Sequence, residues 1–312
     1  MKRVIIILLM LVASRAFAQD APSLSDLTIS NAPGLILAGK STISVDKPTT
    51  PRAFAISLVN LQQGGAVEIS PYWWFDRPNL TYEAFIRRKF LVLETFSLSL
   101  ANVKSDSSST FAPGFRTQVL RIYSKSRLKA MIAKNKELAA VLAVDPASKI
   151  NLDSVKLLSG QLDKLAMTGK VSLELAGALL TDPTGSRLKN LDINKSGVWA
   201  NLSWAPTKFP LEFVGLARYA WTNNTVNNIK TSSRFAEFGA QTNYTTTKFS
   251  IEAEYLNRRD LYAAQNYSHL SASLTYHITD NLAAVAAYGK DLKVGEALTA
   301  LFGINFGFER SK

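Results

Sequence analysis

The chain has 312 residues, no cysteine, two histidines and a formal net charge of +12, from 36 basic and 24 acidic side chains. Without cysteine there is neither a disulfide framework nor a lipoprotein anchor. Because the chain also has only two histidines, a transition-metal site is not expected, and no cofactor is implied. The basic excess is concentrated in 125–136 and at strand ends, which favours anionic lipid headgroups over nucleic acid as its partner.

Residues 1–18 predict a cleaved secretory signal peptide. Lys2 and Arg3 precede the apolar run Val4–Val12, and Ala16–Ala18 is a small-x-small site, so cleavage is expected before Gln19. The apolar run is shorter than the ~20 residues that a helix needs to cross a bilayer, which disfavours the alternative of an N-terminal anchor. No later apolar stretch reaches that length either.

The next part of the chain predicts a leader and then a hairpin. Residues 19–50 show no strong periodicity, and we expect an extended periplasmic leader there. Ala53–Asn60 and Val67–Phe75 flank two glycines and predict paired strands. Ala53–Asn60 also fits a short amphipathic helix, and in that case the strand count becomes odd.

Between this hairpin and residue 169, strands alternate with helical segments. Thr95–Val103, Thr110–Tyr123 and Val171–Thr181 predict strands, and Asn79–Arg88 fits one or two helical turns. The segment 126–167 has helical composition, interrupted near Asp145-Pro146, and predicts a helical insertion on the periplasmic side. The insertion would either pack beneath the strands or fold into their interior as a partial plug.

From about residue 169 onward, apolar and polar side chains alternate strictly. In one example, Phe249, Ile251 and Ala253 alternate with Ser250 and Glu252, and the pattern recurs after each turn over segments of about ten residues. Tight turns alternate with longer polar loops, as in outer-membrane barrels. We therefore predict an all-β transmembrane fold over 51–312, an antiparallel up-and-down β-barrel of about 12 strands.

Strand parity assigns side chains to the two faces of this barrel. Charged and polar residues are expected to line the lumen, and aromatic residues are expected to form girdles at the two membrane interfaces. The lumen-lining candidates are Arg116, Glu212, Arg218, Glu237, Gln241, Glu252, Glu254, His269 and His277. The girdle candidates are Trp204, Tyr219, Trp221, Tyr244, Tyr255, Tyr276, Tyr288, Phe306 and Phe308.

The lumen admits two interpretations. Its charges either tune an aqueous path for small solutes or pair across the interior and fill it. A third possibility is lipid hydrolysis by His269 and Ser271, which share one strand face. That face points into the lumen, away from acyl chains, so we predict no catalytic residues and no enzyme.

Four segments carry a family resemblance. Pro51–Asn60, Ala66–Phe75, Pro78–Thr81 and Gly114–Thr117 resemble uncharacterised outer-membrane β-barrel proteins of the Bacteroidetes. The resemblance is clearest over Pro51–Thr117, with only generic barrel features beyond. It implies location in the cell outer membrane and barrel architecture, and it carries over no catalytic or ligand-binding residues.

These patterns favour an integral outer-membrane barrel that acts as a narrow channel or takes up small solutes. The alternative is a closed structural or assembly barrel whose helical insertion docks a periplasmic protein. Two stacked sheets with Phe213, Phe238 and Leu274 packed between them would instead indicate an exported soluble sandwich. The expected partners are outer-membrane lipid and, under the alternative, that periplasmic protein.

Overall fold

The computed structural model describes residues 32–38, 45–46, 48, 51–61, 65–75, 80–104, 109–144, 149–183, 191–226, 229–246, 248–279, 282–290 and 298–306. The predicted signal peptide lies outside the described residues. The helices are α1 Pro33–Leu37, α2 Pro51–Leu61, α3 Tyr82–Arg87, α4 Val92–Thr95, α5 Lys125–Val144 and α6 Lys149–Met167, with a 3-10 helix at Pro71–Trp74. The strands are β1 Val45–Asp46, β2 Gly65–Ile69, β3 Ser97–Lys104, β4 Ser109–Tyr123, β5 Lys170–Pro183, β6 Leu191–Ala205, β7 Leu211–Val226, β8 Ile229–Thr245, β9 Phe249–Asp260, β10 Asn266–Thr279, β11 Leu282–Lys290 and β12 Leu298–Phe306.

All strands belong to one sheet, in which each pairs with its neighbour in the chain. β2 to β12 form eleven antiparallel strands, and the two-residue β1 adds a parallel edge beside β2. The predicted all-β up-and-down order is therefore confirmed. Among the described strands β12 pairs with β11 alone, so the ladder is barrel-like and is not closed between its first and last members.

The strand predicted at Ala53–Asn60 is wrong, because α2 occupies that segment. Pro51 stands at the first helical position, where its missing N–H costs nothing. Phe54, Leu58 and Leu61 then recur at helical spacing along one face. The antiparallel count is consequently eleven rather than twelve.

The connection from β2 to β3 is longer and more folded than the sequence pattern predicts. The predicted strand Val67–Phe75 ends at Ile69 and continues as the 3-10 helix. The predicted helical turns at Asn79–Arg88 correspond to α3, where Thr81 caps the helix by accepting from the N–H of Ala84. Glu94 lies in α4, just before β3 begins, and its side chain is buried. Its carboxylate therefore does not occupy a position on the outer face of β3.

The sheet curls, and its burial pattern is the reverse of that in a water-soluble protein. Ala101 on β3 and Leu256 on β9 belong to one continuous buried cluster, although six strand spacings, about 29 Å in a flat sheet, separate them. The concave inner face buries charged side chains: Glu237 is 1% and Glu254 2% exposed. The convex outer face exposes large apolar ones, including Phe238 at 62% and Leu270 at 63%.

The sheet has two distinct ends. The end that we call the turn end carries the connections from β6 to β7 and from β8 to β9, and the opposite end, called the loop end, carries those from β7 to β8 and from β9 to β10. The connection from β7 to β8 is shorter than the loop that the alternation of tight turns and longer loops predicts, because β7 extends to Val226 and β8 begins at Ile229. α5 and α6 form a helical hairpin at the turn end, where Met131 and Leu162 pack with Ile86 of α3 and with Tyr123 at the end of β4. Within the described residues, no helix combines the length and the apolar composition needed to cross a membrane.

Candidate functional site: the lumen

The inner face encloses the space that we call the lumen, and strand parity determines which residues face it. In β7 the side chains of Val214, Leu216, Arg218 and Ala220 are buried, whereas Phe213, Gly215, Ala217 and Tyr219 are exposed. This is the alternation expected when one face meets the interior of a barrel and the other meets hydrocarbon.

A charged triad lies on the inner face of β7, β8 and β9. Glu237 occupies its centre, accepting from Arg218 on one carboxylate oxygen and from Arg258 on the other. The three residues face one another directly in the strand register. Because Arg218 is 8% and Glu237 1% exposed, this desolvated network depends on all its members being paired.

The other predicted lumen residues are less tightly grouped. Gln241 donates to Asn243 at 2.9 Å and to the carboxylate of Glu252. Glu254 is buried, and Glu212 and His269 are half-buried. Ser271 is also buried on the inner face, two positions from His269. The side chain of His277 lies outside the described part.

The predicted extended leader is wrong in its central part, because α1 lies inside the lumen. All five of its residues are buried. They pack against an inner wall of small side chains from β2, β3, β4 and β5, namely Ala66, Ala101, Ala112, Ala176 and Ala178. A five-residue helix has no stability of its own, so contacts with the wall hold it.

Gly34 allows the closest approach between α1 and the wall. A β-carbon built at Gly34 would lie 2.3 Å from the carbonyl oxygen of Ala112 and 2.7 Å from its Cβ, distances that real atoms do not tolerate. At the other end of the helix, the Lys195 ammonium donates to the carbonyl oxygen of Leu37 at 3.0 Å. This donation satisfies one of the carbonyls that a helix C-terminus leaves unpaired.

The start of α1 is held by an ion pair between strands. Arg116 donates to Glu68 through two nitrogens, at 2.7 and 3.1 Å, which is a bidentate contact. The same carboxylate accepts from the backbone N–H of Ala32 at 3.1 Å. Ala32 has a φ of 61°, a left-handed conformation that costs alanine about 1–2 kcal/mol and requires such support.

Below this pair, towards the turn end, the β2–β3 connection lines the lumen. Arg88 pairs with Glu94, and this hydrogen bond raises the pKa of the Arg88 guanidinium. Trp73 donates its indole N–H to the carbonyl oxygen of Glu94 at 2.8 Å. Burial raises the pKa of the Tyr82 hydroxyl, where α3 meets the helical hairpin.

Among the predicted girdle residues, Trp204, Tyr244 and Tyr276 lie at the turn end of the outer face, whereas Tyr219 and Tyr255 lie closer to mid-strand. Trp204 stacks on Phe213 at 5.4 Å and Tyr244 approaches Phe249 at 5.8 Å, both at the turn end. Tyr219 and Trp221 pair at 5.8 Å towards the loop end. Tyr255, Tyr276 and Tyr288 are exposed. The side chain of Phe306 and the whole of Phe308 lie outside the described residues, and the girdle itself stays a prediction.

Four functional residues were missed by sequence reasoning. Arg258 follows Glu252 and Glu254 with the same parity and was therefore detectable. Alternation with apolar neighbours indicates the face of Glu68 and Glu174. Glu68, Glu174 and Lys195 act, however, through partners at least 36 residues away in sequence, which alternation does not identify. The run of inner-face alanines was a further signal, since small side chains on a lumen wall leave room for an inserted segment.

Comparisons with known proteins give little similarity. No family model matches the chain, and no curated protein matches it. One similar solved structure is described as a NanC porin in a rhombohedral crystal form. It is 11% identical, the match covers 69% of this chain and 87% of that chain, and the TM-score is 0.37. A likeness this distant supports no inference about function.

Proposed function

We propose that this chain is an integral outer-membrane β-barrel protein whose polar interior forms a narrow path for small solutes. The observation that carries the proposal is the reversed burial of its strands: carboxylates and guanidinium groups lie inside, and aromatic and aliphatic side chains lie outside. An outer face of this kind is stable in hydrocarbon and costly in water. The interior supplies the polar lining that a solute path requires.

In this state the path is closed. α1 fills the part of the lumen beside β3 to β6, and the triad of Arg218, Glu237 and Arg258 bridges the inner face of β7 to β9. Short-range packing and two side-chain hydrogen bonds, one to Glu68 and one from Lys195, hold α1. We therefore propose that α1 is the movable closure and that the triad is a fixed part of the wall.

Replacing Phe238 by arginine tests whether the outer face meets lipid. Phe238 lies near the middle of β8 and is 62% exposed. In a bilayer we expect Phe238→Arg to destabilise the protein by about 2–4 kcal/mol, because the charge enters hydrocarbon. On a water-facing surface the change would stay within about 0.5 kcal/mol. Urea unfolding of protein reconstituted in lipid vesicles measures the difference.

Leu157 provides the matched control. It lies on α6, outside the sheet, and is also 62% exposed. Leu157→Arg is expected to leave the urea midpoint nearly unchanged, because its surroundings are aqueous. Equal effects of the two arginines would contradict the membrane assignment.

A second candidate function rests on the helical hairpin. Its base is fixed under the sheet, where Arg127 donates to the carbonyl oxygen of Thr207 at 2.9 Å. Leu142 and Leu157, on its two helices, are exposed at 44% and 62%. Apolar side chains presented in this way are suited to docking a periplasmic protein, and such a barrel would be an assembly component.

Deleting 126–167 and joining its ends with a short turn tests this candidate. We expect a partner that co-purifies with the full chain to be lost from the deletion variant. The variant must still migrate as a folded barrel on an unheated gel. Unchanged co-purification with a folded variant would remove the docking function and leave the solute path unaffected.

A further inference from the structure

A cavity of about 280 Å³ lies in the wall of the lumen, between the β2–β3 connection and the inner face of β4 and β5. It is separate from the space filled by α1, but the two share one ion pair. Arg116 lines the cavity and holds Glu68, which in turn holds the start of α1. The connection from β2 to β3 forms this wall with three short helical segments, Pro71–Trp74, α3 and α4.

The cavity is lined by hydroxyl groups, an amide and two aromatic rings. Thr95 and Thr117 contribute hydroxyl groups, and each of these also contacts a backbone carbonyl that fixes its position. Trp73 and Phe85 contribute rings set edge to face at 5.6 Å. The groups are thus held in place by the protein before any ligand enters, which reduces the entropic cost of binding.

Gln118 faces this cavity because it has the same strand parity as Arg116, and a β-bulge follows it. The register between β4 and β5 shifts between Gln118 and Leu120. Thr95 accepts from the N–H of Gln118 at 2.8 Å, and its hydroxyl oxygen also lies 3.2 Å from the carbonyl oxygen of Gln118. These contacts fix the backbone of Gln118 just before the bulge.

The charges of the cavity exclude a strongly ionic ligand. Arg116 is paired with Glu68, and Glu94 with Arg88. Glu174 accepts from the side-chain amide of Gln118 at 3.0 Å, and within the described part of the chain no cation lies at ion-pair distance from it. An anion would meet this carboxylate, and a cation would meet the guanidinium group of Arg116. A neutral ligand with several hydroxyl donors satisfies Glu174 without either conflict.

We propose that this cavity binds a small, neutral, polyhydroxylated solute of the sugar class. Glu174 and Gln118 hydrogen-bond its hydroxyl groups, and Trp73 packs against its C–H face. This proposal adds a ligand class to the solute path proposed above. It rests on that path only where it treats the bound ligand as the solute that passes through the lumen. The cavity itself does not require an open lumen.

Calorimetric titration of the full chain in detergent tests the binding site, with D-glucose and N-acetyl-D-glucosamine as probes. Choline and acetate serve as the cationic and anionic comparisons. We expect saturable binding of at least one sugar and none of either ion. Glu174→Gln is expected to weaken sugar binding about tenfold or more, since a hydrogen bond to a charged acceptor is lost. Trp73→Leu is expected to weaken it as well.

Glu212→Gln is the matched control, because Glu212 is a lumen carboxylate outside the cavity. Its sugar affinity should equal that of the unmodified chain. Absence of saturable sugar binding by folded protein, equal affinity in Glu174→Gln, or preferential binding of choline or acetate would each overturn the proposal. Sugar binding with no bilayer conductance, even in a Gly34→Ala variant in which α1 is displaced, would overturn the solute path and leave the site intact.

Discussion

Gly34→Ala is expected to force α1 out of the lumen and to raise the ion conductance of the protein in planar lipid bilayers. The added methyl carbon would lie 2.3 Å from the carbonyl oxygen of Ala112, which is backbone in the middle of the sheet and cannot move aside. The overpacking costs about 1–3 kcal/mol, comparable with the contacts that hold so short a helix. The closed state should therefore lose its advantage over a state with α1 displaced.

Gly160→Ala makes the same chemical change without the clash. Gly160 lies in α6, where a β-carbon meets no heavy atom within 4 Å. Alanine there should stabilise the helix by up to about 1 kcal/mol and leave the conductance unchanged. If Gly34→Ala folds normally and conducts no better than the unmodified chain, α1 is not the closure that we propose.

Glu237→Gln is expected to produce the largest loss of stability of any single inner-face substitution. It leaves Arg218 and Arg258 facing each other with no carboxylate between them. Removing one partner of a buried ion pair typically costs about 3–5 kcal/mol, because a buried charge is left uncompensated. The urea midpoint of the protein in detergent micelles, followed by tryptophan fluorescence, measures this cost.

Glu212→Gln again serves as the control, since Glu212 is half-buried and forms no ion pair among the described side chains. Its effect should stay below about 1 kcal/mol. A Glu237→Gln protein as stable as this control would mean that water reaches the triad. The lumen beside β7 to β9 would then be open rather than closed by paired charges.

The two interpretations of the lumen therefore apply to different parts of it. Ion pairing describes the triad, where three charged groups on neighbouring strands satisfy one another along the wall rather than across the interior. A solute path describes the side beside β3 to β6, where the occupant is α1 rather than fixed wall side chains. The small alanine side chains of that wall leave room for a segment that can move out. At the triad, by contrast, the space is taken by side chains of the wall itself.

The amino-acid sequence by itself determines the strands from β4 onward and the face to which each side chain belongs. Alternation has a period of two residues, so a single stretch such as 211–221 contains all the information needed. From β5 onward the strand order follows from short connections, which favour pairing between strands that are neighbours in the chain. The pairing of Arg218 with Glu237 was foreseeable in this way, because both fall on the inner face.

Only the tertiary structure decided where α1 lies, how Glu68 is used and where the cavity forms. Gly34 meets Ala112, and Glu68 meets Arg116, across separations in sequence for which no local pattern exists. The helix at Pro51–Leu61 was one of two readings that its composition allowed. The physical reason is the same in each case: short segments with weak local preference take the conformation that distant packing partners stabilise.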